Sequence, residues 1–354
     1  MTIEAHSSFE SEGVRAVRLS RVLELFSGRR VVVLGDLIAD QFVYGEISRV
    51  SREAPVLILR HERTKTVPGG AANCAVNLAA LGARVSIVGA VGEDEAGRTL
   101  IDKLQATGVD CGGVIRQSAR QTTTKVRILA GQLHSMRQQV IRVDYEGSLL
   151  SDPIFQVQIS ALLSDTLPHA DAVVISDYNY DVANAATTTL LREAAMKNEL
   201  PIIVDSRFRL LEFSGFTSAT PNEAEVEQVL GRRLTDSAEL ETAGEELRAR
   251  LGYRALLITR GSQGMVLLER DATPMHLAPV GAREAIDGTG AGDTVIAAYT
   301  LAVASGASFA DAAHLANYAG GLVVMKRGTA SIDHQELLAS VMQAASSSSK
   351  ILEQ

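Results

Sequence analysis

The chain reads as an α/β fold in three layers, with a mainly parallel central sheet, helices on both faces and a small β-flap beside it. Three observations predict this. Short β-branched runs alternate with helical patterns along most of the chain. Several runs stop on polar residues: Gly35-Asp36, Ser176-Asp177, Asp205 and Thr259-Arg260-Gly261. Open parallel sheets hold their ligands at such strand ends. Finally, two stretches, 41–62 and 122–144, alternate apolar and polar residues with no helix between them, as half-exposed antiparallel strands do.

Taken in order, Val14 to Phe26 reads as a short amphipathic helix within an N-terminal extension, 1–28. The strands are Val31–Leu34, Arg84–Val88, Ala172–Ile175, Pro201–Val204 and Ala255–Ile258. Helices follow most of them. Ala71–Leu81 is ended by Gly82 and Glu95–Thr107 by Gly108, glycine being the usual residue just past a helix. Asn184–Lys197, Asn222–Leu230 and Ser237–Leu251 come next, then Ala291–Ala304 and Phe309–Lys326. Asp333 and Glu336 have capping-box spacing for a last helix. In the flap stretches Val56, Ile58, Val126, Ile128, Val140, Ile141 and Val143 are the apolar members of the alternation. No linker divides 29–343, so this is one domain, and 344–354, with its serine run, reads as a flexible tail.

Composition narrows the function. A net charge of −8 with no Lys/Arg run argues against a nucleic-acid partner. Cys74 and Cys111 are too few for a disulfide framework and suit a reducing compartment. No uncharged apolar run reaches the ~18 residues of a membrane span, and the acidic first residues are no secretory signal. The expectation is a cytoplasmic protein with no membrane partner. None of the 7 histidines shows ligand spacing.

The richest segment is Asp287-Gly288-Thr289-Gly290-Ala291-Gly292-Asp293, which runs directly into an Ala-rich helix. Glycines this dense let backbone N–H groups converge, and a helix starting there adds unpaired donors and a positive dipole end. Such a nest suits a polyphosphate. A carboxylate beside an anion site costs electrostatic energy, which makes sense if Asp293 takes a proton from the group attacking phosphorus. The plainer alternative is a tight loop with Asp293 as helix cap. The segment is neither G-x-G-x-x-G nor a P-loop.

The accompanying motifs resemble those of the ribokinase-like, PfkB-type carbohydrate kinases. Pro68-Gly69-Gly70-Ala71-Ala72-Asn73 is similar to that family's N-terminal signature and Asp287–Asp293 to its C-terminal one. Asn222-Glu223-Ala224-Glu225 resembles its N-x-x-E element, and Thr259 to Gly264 its nucleotide-binding turn. Within the family, Gly35 to Gly45, Ser48 to Val56, Thr123 to Arg127 and Ser176-Asp177-Tyr178 are similar to heptose 7-phosphate kinases of lipopolysaccharide-precursor synthesis. Two departures stand out: Asn179-Tyr180-Asp181 and Asp205-Ser206-Arg207 occupy places where such kinases tend to carry lysines.

The resemblance implies a ribokinase-like fold with the flap as lid, and ATP with Mg²⁺, a monovalent cation being left open. It implies that amides of Gly290, Ala291 and Gly292 hold the transferring phosphate while Asp293 acts as base. Asp36, Asp40, Gly69, Gly70, Asn73 and Asp177 would bind sugar hydroxyls. Arg49, Lys125, Arg127 and Arg142 are candidates for a phosphate already on the sugar, a solvated strand face being the alternative for each. Thr259, Gly261, Gly264, Asp287, Gly288, Thr289 and Asn317 would line the nucleotide pocket. Asn222 and Glu225 would hold magnesium, Glu225 through water; a simple helix cap is the alternative there. The expected activity is anomeric phosphorylation of D-glycero-D-manno-heptose 7-phosphate, with fructose 6-phosphate, ribose or a silent binding protein as alternatives. Exposed flap edges would be covered if two chains paired there, so a homodimer is expected.

Overall fold

A computed structural model describes residues 12–131, 137–147, 152–281 and 285–351. The elements follow the predicted rhythm. Helix α1 (Glu12–Glu24) precedes β1 (Arg30–Gly35), β2 (Leu37–Val50), β3 (Leu57–Gly70), α2 (Ala71–Ala80), β4 (Arg84–Gly92), α3 (Glu95–Ala106) and β5 (Asp110–Gln117). Then come β6 (Thr124–Gly131), β7 (Gln138–Tyr145), α4 (Pro153–Thr166), β8 (Ala172–Asp177), α5 (Ala185–Asn198), β9 (Ile202–Ser206) and β10 (Ser218–Ala219). The last third holds α6 (Glu223–Leu230), α7 (Ser237–Leu251), β11 (Ala255–Thr259), β12 (Met265–Glu269), β13 (Met275–Leu277), α8 (Ala291–Ala304), α9 (Phe309–Val323) and α10 (His334–Ile351).

Among the described residues nine strands form the main sheet, in the order β13-β12-β11-β10-β9-β8-β1-β4-β5. All neighbours are parallel except β11–β12 and β12–β13, a hairpin edge. The central run Val31-Val32-Val33-Leu34 is buried throughout, and its residues alternate between two cores. Val31 and Val33 face the layer that includes α2, α8 and α9, whereas Val32 and Leu34 face the layer of α4, α5 and α7. A strand covered on both faces has no polar side to show, which is why its sequence is continuously apolar. Each such side chain contributes about 1.5–3 kcal/mol by leaving water.

The lid is a separate four-stranded sheet, ordered β3-β2-β6-β7. It corrects one expectation. The two outer pairs are antiparallel, but the central pair β2–β6 is parallel, Ala39 to Glu46 running alongside Thr124 to Gly131. The cause is connectivity: between β3 and β6 the chain travels through α2, β4, α3 and β5. It then returns to the lid from the main layer in the same direction as β2, as a crossover rather than a hairpin demands.

Helix α1 is not a loose extension. Leu19, Leu23 and Phe26 are fully buried in the same core as α2 and α8, and Arg18 grips Asp311 at 2.8 Å through both Nε and Nη2. At the other end α10 carries helix through 344–351, where a tail was expected, and 352–354 lie outside the described residues.

Candidate active site

Three adjoining clefts run along the carboxyl ends of the strands. The first, about 210 Å³, lies under the lid. The second, about 270 Å³, is lined by Asp205, Asn222 and Glu225. The third, about 730 Å³, runs past Val280, Val295 and Val324. Tyr178, Arg207, Gly290 and Asp293 line both the first and the second, and Thr259, Gly288 and Gly292 line both the second and the third. They are therefore one groove, polar at the lid end and apolar at the other, and the glycine turn sits at its middle.

The turn is built around Gly290, the N-cap of α8, at φ 79°. A side chain there would be strained, and its Cβ would stand 2.7 Å from Asn73 Nδ2. That closeness serves Asp293, one turn into α8: Asn73 Nδ2 donates to Asp293 Oδ2 at 2.6 Å. Asp293 Oδ1 is buried and takes no hydrogen bond from any described residue. Burial pushes the Asp293 carboxyl up to about 7, with Asp40 adding to the rise while the Asn73 hydrogen bond and Lys125 oppose it. A carboxylate poised near neutrality with one free oxygen in a cleft is what a general base needs.

The anion nest differs in one detail from expectation. The Ala291 N–H turns back to Gly288 O at 3.2 Å, so it closes the turn instead of facing the groove. The amides of Gly290 and Gly292 have no acceptor among the described residues. Asp287 likewise lines none of the three clefts. Its Oδ1 accepts from Thr289 N at 2.9 Å and its Oδ2 from Gly328 N at 2.8 Å, which clamps the turn to the loop after α9. Burial raises its pKa, but these amide hydrogen bonds outweigh it and the group stays below the usual carboxylate range. Thr289 faces the lid cleft rather than the nucleotide end.

At the lid cleft the structure gathers Asp40, Gly70, Asn73, Lys125 and Arg127, as expected, and adds Tyr178, Arg207 and Thr329. Asp40 and Arg127 are paired at 2.5 Å, and Lys125 Nζ lies 5.0 Å over the Tyr178 ring. Gly69 makes room for Asp40, since a Cβ there would stand 2.4 Å from Asp40 Oδ2. Four expected ligands stand elsewhere. Asp36 is buried with its Oδ2 accepting from Tyr178 N (2.7 Å) and Tyr180 N (3.1 Å), so it clasps a turn and lines no cleft. Burial, with Asp177 nearby, lifts it to about 6. Asp177 borders the second cleft, but its carboxylate is taken by Arg209 and by Ser206 Oγ at 2.6 Å. Arg49 is exposed near the far end of β2, nine residues beyond Asp40 and thus roughly 30 Å along the strand. Arg142, exposed on β7, is held by Asp144 at 2.7 Å, although its charge reaches Lys125.

Asn222 and Glu225 form a capping box. Asn222 Oδ1 accepts from Glu225 N, and Glu225 Oε2 accepts from Asn222 N, both at 2.9 Å. They also face the second cleft together with Asp205. Desolvation holds both carboxyls above their usual range, and Glu225 pushes Asp205 further. A cation in that cleft would relieve this repulsion, so the donor set fits one. Among the described residues no three acidic, His or Cys groups converge closely enough to hold a metal by themselves. The third cleft contains Thr259, Gly261, Gly264, Gly288 and Asn317 as expected, with Asn317 anchored to Ala278 O at 2.7 Å.

Residues 29–336 match the pfkB family carbohydrate kinase. The bifunctional protein HldE of Caulobacter vibrioides is 40% identical over 328 residues, which is 92% of this chain and 66% of the relative. HldE of Nitrosococcus oceani is 41% identical over 317 residues, 88% of this chain and 64% of the relative. This chain thus spans about two thirds of the length of those relatives. Arabidopsis thaliana ribokinase, solved with ribose and ATP, superposes with a TM-score of 0.70 at 22% identity, covering 89% of this chain and 99% of that one. Phosphofructokinase-2 from Escherichia coli, solved with substrates and products, gives 0.73 at 19% identity over the same shares; both likenesses concern the ribokinase-like fold. A family match that takes in both glycine signatures and every strand of the main sheet settles the assignment: the chain belongs to the pfkB carbohydrate kinases and is an ATP-dependent sugar kinase.

Proposed function

We propose that this kinase phosphorylates the anomeric hydroxyl of a sugar that already carries a phosphate, D-glycero-D-manno-heptose 7-phosphate being the best fit. The observation that carries this is the composition of the lid cleft, where Lys125, Arg127 and Arg207 line the same pocket as Asp293. A neutral sugar has no use for several cations, and Asp40 is paired with only one of them. A phosphate would engage such cations through charge-assisted hydrogen bonds. The likeness to HldE proteins supports a heptose as the carrier.

In this reading the adenosine of ATP lies in the apolar cleft and its terminal phosphate points at the amides of Gly290 and Gly292. The sugar hydroxyl sits against Asp293 Oδ1. As its oxygen bonds to phosphorus, its proton passes to Asp293 and ADP leaves with the electrons of the broken P–O bond. Positioning and electrostatics supply most of the acceleration. A magnesium ion near Glu225 and Asn222 would neutralise charge on the departing phosphates. Lid closure would exclude water, whose attack on ATP is the competing reaction.

The lid also bears on assembly. Val140, Ile141, Val143 and Tyr145 of β7 are exposed together, as are Val50, Val56 and Leu57 at the far end. A homodimer through lid strands would cover them. A cytoplasmic location fits the absence, among the described residues, of any helix long and apolar enough to cross a membrane. The decisive assay is ADP release across a panel of phosphorylated and unphosphorylated sugars. Turnover with heptose 7-phosphate and little with free heptose supports the reading, and preference for fructose 6-phosphate or ribose overturns it.

A further inference from the structure

Two buried side chains outside the groove, Asn77 and Thr294, connect to the base through Asn73. Asn77 Nδ2 donates to the main-chain carbonyl of Asn73 at 2.9 Å and to Asn73 Oδ1 at 3.3 Å. Thr294 Oγ1 donates to Asn77 Oδ1 at 2.8 Å. Asn77 and Thr294 are wholly inaccessible to solvent and Asn73 nearly so. Both Asn77 and Thr294 lie one turn or one residue beyond a signature residue, on α2 and α8.

The chemistry of these atoms leaves one arrangement. A main-chain carbonyl only accepts, so the Asn77 group facing it must be the NH₂. The Asn77 carbonyl oxygen then faces Thr294, whose hydroxyl must donate. The same NH₂ meets Asn73 Oδ1, which must accept. Asn73 is thereby left with its own NH₂ toward Asp293, a donor and never an acceptor. A donor holds an ionised carboxylate more strongly than a protonated one, whose carbonyl oxygen still accepts but carries less charge and whose O–H needs an acceptor of its own.

We propose that Asn77 and Thr294 are positioning residues that lock Asn73 as a donor and so hold Asp293 in its ionised, proton-accepting form. The inference rests on Asp293 acting as base. Without the lock, Asn73 could turn over and accept from a protonated Asp293, which would stabilise the inactive form. The direction is therefore fixed: breaking the relay raises the pKa of Asp293 and moves the acidic limb of the turnover profile to higher pH.

The test measures kcat against pH from 5 to 9.5, KM for ATP and Tm in the parent, Asn77→Leu, Thr294→Val, Thr294→Ser and Asp293→Asn. Leu and Val keep the volume of the replaced groups, so two independent variants guard against simple misfolding. The expected result is an acidic limb about one pH unit higher in Asn77→Leu, hence about tenfold slower turnover below the parent's midpoint. Plateau rates and KM for ATP stay near the parent's. Thr294→Val shifts in the same direction by less, and Thr294→Ser, which keeps the hydroxyl, follows the parent. A merely structural role would lower Tm and leave the limb in place, and an unmoved limb in both folded variants overturns the proposal. Near-parental turnover in Asp293→Asn would instead overturn the role of Asp293 itself, so the two failures are distinguishable.

Discussion

The two ends of the groove are made by different kinds of structure. The apolar end lies on the main sheet and between α8, α9 and the β12–β13 edge, where Val295, Asn317 and Gly320 line the cleft from largely buried positions. The sugar end takes Lys125 and Arg127 from β6, a strand whose lid partner β7 is exposed along its whole length. Asp293 stands between them, buried on α8. In the proposed reading the contrast is a division of labour: the core places the reacting phosphate and the base, and the separate lid sheet supplies the contacts to the sugar.

The sharpest way to break this division is Asp293→Asn, which keeps shape and hydrogen-bonding reach but cannot take a proton. Turnover should fall by about 10²–10⁴-fold, the usual worth of a positioned base, with ATP affinity in a direct titration nearly unchanged. Next in size is Lys125→Met in the lid. It should raise KM for the phosphorylated sugar by roughly ten- to a hundredfold, the worth of one charge-assisted hydrogen bond, and leave KM for ATP alone. If KM for ATP moved as much, the two ends would not be separate devices.

A smaller effect follows from protonation. Burial pushes the Asp293 carboxyl up to about 7, and if it is the base it acts ionised, so turnover should decline as pH falls through that value, about tenfold for each further unit. A kcat profile flat down to pH 5 would contradict it. The smallest expected effect is Arg49→Ala: exposed and remote from the clefts, it should leave turnover and sugar KM within about twofold. A large KM effect would mean that the far end of the lid reaches the substrate.

How much of this was legible in the sequence depends on whether the signal was local. The central strands and the helices behind them announce themselves through continuous apolar runs and glycine stops, because burial on both faces and helix termination are near-neighbour effects. Strand β10, two residues long, carries too little pattern to see. Strand β5 contains Gly112 and Gly113 and is only half buried, so it lacks the alternation that marked others. The order of the lid strands depends on a connection through four other elements, which no window of sequence contains.

The site divides similarly. Asp293, Gly290, Asn73, Asp40 and Lys125 could be placed because each lies in or beside a recognisable motif. Asp36 and Asp177 looked like ligands because they end strands, but strand ends also need their backbone amides satisfied, and these two carboxylates do that work at the turn around Tyr178. Asn77 was invisible as a functional residue: on a helix, an Asn four residues from another shares its face, yet only the fold brings Thr294 to it. Arg207, met first as a departure from a lysine pattern, turns out to line two clefts.

The parallel seam between β2 and β6 has a consequence for the order in which the molecule forms. Its two strands are separated in sequence by β3, α2, β4, α3 and β5, so the seam is a long-range closure whose entropy cost is met before any contact rewards it. During synthesis the first lid hairpin would emerge early and wait, half its hydrogen bonds unmatched, until β6 arrived. On a growing chain the lid therefore closes only after the β4–α3–β5 segment has formed, though still ahead of α8 and α9, and lesions that slow that segment should show up first in the lid.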